Sequence, residues 1–198
     1  MATGFVIGDG KMIATNAHVI PPIENPEFEK LVIFVGTGRH VEVRPVKIIK
    51  RDETHDLAIL RQMGAPLPAL KLAPPEPPLA EGSAIAFMGY PIGSVLGLYP
   101  VTHGGYLSAI TPVVIPAANS NSLSAAQVRA LKNPYFVYQL DATAYPGNSG
   151  SPLFDTDSGN VIGVINKVFV KSRKEKVLSD PSDITYAIPV KFLHGLMK

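Results

Sequence analysis

With 198 residues, 46% of them hydrophobic and 17% charged, the chain has the composition of a folded globular protein, neither disordered nor fibrous. A formal net charge of +2 is too small to mark a phosphate-tracking surface, so a nucleic-acid partner is not expected. Cysteine is absent, which excludes disulfides, thiolate catalysis and cysteine-ligated zinc; no apolar run nears the ~18–20 residues that cross a bilayer, and no basic start followed by an apolar stretch marks a signal peptide.

In chain order the sequence is a series of short apolar or alternating runs: GFVI, KMIAT, KLVIFVG, HVEVRPVKIIK, DLAILR, SAIAFMG, GGYLSAI, FVYQL, SPLF, NVIGVINKVFV and ITYAIPV. Their length and their content of valine, isoleucine, phenylalanine and tyrosine predict strands and an all-β fold. The stretches GDG (Gly8 to Gly10) and DTDSGN (Asp155 to Asn160) predict hairpin turns. Helices are expected over Ser124 to Asn133, with Ser124 as N-cap, and over the C-terminal PVKFLHGLMK, where proline suits a first turn. The proline-rich Gly64 to Gly82 and the polar Pro116 to Ser122 predict surface loops, and the one dense basic run, Lys167 to Lys176, predicts an arm of a solvated hairpin. The strand rhythm breaks in Gly89 to Gly105, which places a junction near residues 94 to 101 and divides the chain into a barrel over 1–97 and a second over 98–198.

Chemistry centres on DATAYPGNSGSPLF, where Ser149 stands among glycine, asparagine and proline. Such a stretch is usually only a turn. A serine hydroxyl becomes a nucleophile when a base takes its proton and a third group orients that base, so Ser149 calls for a histidine and an acid. Of five histidines, His18 stands out in MIATNAHVI, at the end of a predicted strand. Of the acids in RDETHDLAIL, Asp56 abuts an apolar run, where a carboxylate is partly desolvated and can hold an imidazole. Each residue alone reads as structural; their conjunction does not.

These segments resemble the trypsin-like serine proteases, and among them the HtrA/Deg type. TGFVIGDGKMIATNAHVI is similar to that family's histidine segment, HDLAILR to its aspartate segment, GYPIG to its glycine-proline loop, and DATAYPGNSGSPLF to its serine segment, all in family order. GNSGS is not the G-x-S-x-G of α/β-hydrolases, whose chain order also puts serine first. The resemblance implies a chymotrypsin-like fold of two barrels with a short C-terminal helix. It implies a serine endopeptidase that uses no metal or cofactor, with Ser149 as nucleophile, His18 as base and Asp56 as orienting acid. The oxyanion hole would be formed by the backbone N–H groups of Gly147 and Ser149, with Asn148 between them. Thr143 and Ala144 would lie at the base of the substrate pocket, with Val164, Ile165 and Asn166, in a segment running to Lys167, on the opposite wall; none is acidic, which disfavours arginine or lysine before the cut bond. Uncharged Asn148 implies a protease not activated by an ion pair to a new N-terminus, whose competence depends on loop ordering, with the insert Pro116 to Tyr135 as a candidate loop.

The same resemblance places one strand upstream of GFVI and a PDZ-like domain after the helix; neither is found here. The first barrel is therefore expected to be open at an edge, and the chain is expected to be monomeric, since trimer contacts in the family use that upstream segment. Its partners are expected to be polypeptides, including unfolded proteins, in the periplasm or another extracytoplasmic space if a leader has been removed. The alternatives are a non-catalytic module of the same fold that binds peptides by strand addition, and an esterase-like hydrolase with the same machinery.

Overall fold

The computed structural model describes residues 1–23, 25, 28–91, 97–113, 134–166 and 185–198. The expected helix over Ser124 to Asn133, the loop over Pro116 to Ser122, almost all of the insert Pro116 to Tyr135, the arm over Lys167 to Lys176 and part of the junction near 94 to 101 lie outside the described residues.

The short β-branched and aromatic runs form strands as their composition dictates. They are β1 (Phe5–Ile7), β2 (Met12–Thr15), β3 (Val32–Thr37), β4 (His40–Asp52), β5 (Leu57–Gln62), β6 (Ala84–Gly89), β7 (Val101–Pro112), β8 (Phe136–Asp141), β9 (Pro152–Asp155), β10 (Val161–Asn166) and β11 (Thr185–Pro189). Helix α1 (Val190–Met197) follows, with Pro189 at its N-cap position instead of inside its first turn. β1–β2 and β9–β10 are antiparallel hairpins across the two turns expected from sequence. The fold is the expected all-β pair of barrels with a short C-terminal helix, one barrel being closed and the other open.

The first five strands form an antiparallel sheet in the order β1-β2-β5-β4-β3, and the remaining six close into a barrel in the order β10-β11-β8-β7-β6-β9. Because β6 pairs with β7 and β9, the passage between the two units runs through residues 63–83, not at the 97/98 boundary expected from the sequence. The break in strand rhythm after Gly89 is a connection inside the second barrel. In the first unit the edge strands β1 and β3 do not pair with each other. Between them lies a cavity of about 650 Å³ lined by apolar side chains that include Val6, Ile13, Leu31, Ile33 and Leu60.

The two units are not packed independently. One buried cluster takes Phe5, Ile7, Leu57 and Ile59 from the open sheet, Val137, Val164 and Ile188 from the barrel, and Val190 and Leu193 from α1. The proline-rich stretch that joins them is more than a surface loop. Its Leu70 amide donates to Val6 O (2.8 Å), its Ala73 amide to Val161 O (2.8 Å), and its Lys71 carbonyl accepts from Val161 N–H (2.8 Å), while Leu70, Leu72 and Ala73 pack on the shared core. The reason is the placement of leucines between the prolines: the prolines remove donors, but the intervening residues keep theirs and use them on both units.

Because one core serves both units, urea unfolding is expected to show a single transition by far-ultraviolet circular dichroism and tyrosine fluorescence alike. Leu193→Ala, at a wholly buried site of that core, is expected to lower the stability of the whole transition by about 3 kcal/mol; two transitions with only one displaced would contradict it.

Candidate active site

The site is built outward from Asp56, in the turn between β4 and β5. It is the one non-glycine among the described residues with a left-handed backbone (φ 52°), a conformation that aspartate tolerates better than most side chains. That conformation lets both ends of the residue grip the segment after β2. The Asp56 carbonyl accepts from Ala17 N–H (3.1 Å) and from Asn16 Nδ2 (3.1 Å). Its Oδ1 accepts from His18 N–H (2.8 Å), and its Oδ2 pairs with His18 Nδ1 (2.6 Å). His18 thus lies three residues beyond the end of β2, in a turn, with its orientation set by Asp56. Its side chain is 32% exposed against 17% for that of Asp56, so the imidazole is reachable from solvent while the carboxylate is more covered. With Nδ1 turned to Asp56, Nε2 is the ring nitrogen on the opposite edge.

Asp56 Oδ2 also accepts Asn166 Nδ2–H at 2.6 Å, from the last residue of β10. A bond from the second barrel therefore closes on the carboxylate of the first. The neighbouring His55 pairs with Asp52 (Nδ1 to Oδ2, 2.6 Å), stacks on Phe192 of α1 at 4.0 Å between centroids and meets Tyr135 edge-on at 4.7 Å. This second histidine–aspartate pair has aromatic rings against it and ties the Asp56 turn to the helix. Burial pushes the Tyr135 hydroxyl up, helped by the charges of Asp56 and Asp52, so it stays protonated.

Ser149 sits in a loop between β8 and β9. Tyr145 to Asn148 form a tight turn closed by Asn148 N–H on Tyr145 O (3.0 Å), with Pro146 at its second position and Gly147 (φ 105°) at its third, the pattern of a type II turn. Beyond it, Gly150 N–H donates to Ile165 O (2.9 Å) and Ser151 N–H to Asn148 O (3.0 Å). Among the described residues, the amides of Gly147 and Ser149 donate to no protein group, whereas those of Asn148, Gly150 and Ser151 all do. No hydrogen bond joins Ser149 Oγ to His18 among the described residues. The loop reaches the His18–Asp56 pair through Ile165 and Asn166, consecutive residues of β10.

Asn148 is wholly buried, and its Nδ2 faces His103 Nε2 at 3.3 Å. His103, on β7, stacks on Phe87 (4.7 Å) and lies tilted against Tyr145 (5.8 Å); burial holds its pKa below the ordinary histidine range, which keeps the ring neutral and able to accept from Asn148.

Residues 2–164 match the family model of the trypsin-like peptidase domain. The chain belongs to the trypsin-like peptidase family. It is 29% identical over 192 residues to proteins named probable periplasmic serine endoprotease DegP-like from Halomonas elongata and Pseudomonas fluorescens. Those alignments cover 96% of this chain and 33% of each relative, so the chain spans about a third of the length of the curated relatives it matches. Among solved structures, the HtrA-type protease AlgW with tripeptide superposes with a TM-score of 0.68 at 24% identity, over 99% of this chain and 54% of that one. The MamO protease domain from Magnetospirillum magneticum superposes with a TM-score of 0.68 at 16% identity, over 98% and 87%.

In this trypsin-like domain the expected pocket residues are distributed differently from the sequence expectation. Thr143 is exposed in the loop after β8. Ala144 is buried in the core of the closed barrel, its amide donating to Thr185 Oγ1 (3.1 Å). Val164 and Ile165 are wholly buried, one in the shared core and the other in the barrel core, because β10 is covered on both faces. Their side chains offer no wall to a substrate. Asn166 is also wholly buried and serves Asp56. Lys167 lies outside the described residues. Asn166 and His103 have roles toward the site that no local sequence pattern signals, since each acts on a residue more than forty positions away.

His103 yields a pH dependence with a defined sign. As pH falls below about 6.5, the ordinary histidine value, the unfolded chain takes up a proton that the folded chain resists, so stability declines toward the lowered folded value. His103→Gln, which keeps an acceptor for Asn148 but does not titrate, is expected to show a smaller fall in Tm between pH 7 and pH 5 than the parent; parallel Tm profiles would refute this.

Proposed function

We propose that the chain is a serine endopeptidase that cuts polypeptides through an acyl-enzyme. The observation that carries this reading is the pair of undonated amides, Gly147 and Ser149, flanking a serine in a loop that β10 links to the His18–Asp56 pair. The amides of Asn148, Gly150 and Ser151 are taken up inside the fold, which leaves those of Gly147 and Ser149, both partly exposed, available to a substrate oxygen.

In this mechanism Ser149 Oγ attacks the scissile carbonyl carbon as its proton passes to His18 Nε2. Asp56 stabilises the imidazolium through Nδ1–H, and Asn166 and the His18 amide keep the carboxylate in place. The carbonyl oxygen, now negative, receives the Gly147 and Ser149 N–H groups; each such donor is worth about 3 kcal/mol in related hydrolysis. His18 then returns the proton to the leaving amine, which departs and leaves an ester on Ser149. Water, deprotonated by His18, repeats the sequence and releases the acid.

The substrates are polypeptides, including unfolded ones; AlgW, whose structures hold a tripeptide and a decapeptide, supports this class. The DegP-like relatives are named periplasmic, which supports an extracytoplasmic setting.

A fluorophosphonate probe read by intact mass is expected to label Ser149 once, with labelling lost in Ser149→Ala and His18→Ala. Cleavage of casein is expected to fall at least about 10³-fold in Ser149→Ala. Ester hydrolysis without casein cleavage would move the reading to an esterase, and casein binding by a folded, unlabelled chain would move it to a peptide-binding module.

A further inference from the structure

Two residues ahead of the first strand, one threonine joins the serine loop to the strand that precedes His18. Thr3 is 4% exposed, and its amide, hydroxyl and carbonyl are all hydrogen-bonded. Its amide donates to Ser149 O (2.9 Å). Its hydroxyl donates to Gly147 O (2.7 Å) and accepts from Tyr90 N–H (3.1 Å). Its carbonyl accepts from Thr15 Oγ1–H (2.7 Å), and Thr15 ends β2, three residues before His18.

This approach exists because side chains are missing around it. A Cβ at Gly150 (φ 84°) would collide with Thr3 O and Thr15 Oγ1, and one at Gly89 would lie 3.1 Å from Thr3 Oγ1. Glycine at 150 leaves the space that Thr3 needs to reach the serine loop, and Gly89 makes room first for Ser151 Oγ and Asn148 Oδ1 beside it.

We propose that Thr3 is a positioning residue for the oxyanion hole, acting through the backbone of Gly147 to Ser149. The inference rests on the acyl-transfer function above. Thr3 holds the carbonyls of Gly147 and Ser149, and the peptide that carries the Ser149 N–H lies between those two anchored points. Through its own carbonyl, Thr3 also ties this loop to the strand that leads to His18. The hydroxyl therefore fixes the direction of the oxyanion donors relative to the base, without touching the reacting atoms. Without it, Gly147 O and Tyr90 N–H lose their partner, the Gly147 end of the loop is free to rotate, and donors aimed at a developing charge lose alignment. Such a change weakens the transition state more than the ground state, so it appears in kcat and not in KM.

The test compares the parent chain, Thr3→Val, which keeps the shape and removes the hydroxyl, and Thr3→Ser, which keeps the hydroxyl. Turnover of a p-nitrophenyl ester, the rate of fluorophosphonate labelling and the low-field Nδ1 proton of His18 are measured for each. In Thr3→Val, kcat and the labelling rate are expected to fall about tenfold or more, a fraction of the 10²–10³ that follows loss of a whole donor. KM should stay within about twofold and the His18 proton in place. Thr3→Ser is expected to restore most of the lost kcat. An unchanged kcat in Thr3→Val, an equal loss in Thr3→Ser, or a loss confined to KM overturns the role of Thr3. If the valine chain lacks the circular dichroism of the parent, Thr3→Ala takes its place with the same expectations. A folded parent that the probe fails to label overturns the acyl-transfer function itself and this role with it; a labelled parent with an indifferent variant overturns the role of Thr3 alone.

Discussion

The left-handed turn at Asp56 is the constraint on which the site depends. A left-handed backbone costs an L-residue on the order of 1–2 kcal/mol, and here it is met by hydrogen bonds from Asn16, Ala17, His18 and Asn166 to one residue. Glycine would adopt the backbone more readily but would remove the carboxylate; a bulkier side chain would keep neither. Aspartate satisfies both demands, and strain at such a position persists only where the surroundings over-determine it. The bond from Asn166 adds a consequence for architecture, because the acid of the first unit is held by a residue of the second.

A site divided between two units requires that they not slide against each other. The shared core, with α1 capping it, and the strap over residues 63–83 meet that requirement by different means. The core contributes non-directional apolar burial, which favours contact but tolerates small shifts. The strap adds directional backbone bonds to both β1 and β10, and these set register. Thr3 and Asn166 then make the last, local connections where tolerance is smallest. The edges of the first sheet are β1 and β3, whereas β2 and β5, the strands flanking His18 and Asp56, are paired on both sides, and the strap bond to Val6 and Thr3 anchor the β1 edge. An unclosed sheet and an organised site therefore coexist in one molecule.

Much of this was legible in the residues themselves. Pro146–Gly147 specifies a turn with positive φ at its third residue, and the strands and hairpins follow from composition and spacing. The pocket assignments failed for a physical reason. The resemblance puts Val164 and Ile165 on a pocket wall, but a strand covered on both faces gives its side chains to cores whatever its neighbours do. The junction near residues 94 to 101 failed similarly: a break in strand rhythm marks a connection but does not tell which sheet lies on either side.

By itself, the sequence determined the local conformations and the side-chain chemistry available: strands, turns, and a histidine, an aspartate and a serine in that order along the chain. The tertiary structure alone decided which distant partners complete them. Thr3 and Gly147 are 144 residues apart and Asn166 and Asp56 are 110 apart. Backbone propensity and hydrophobic period act over a few residues, and they carry no information about which remote carbonyl or carboxylate a polar group will meet once the core has formed.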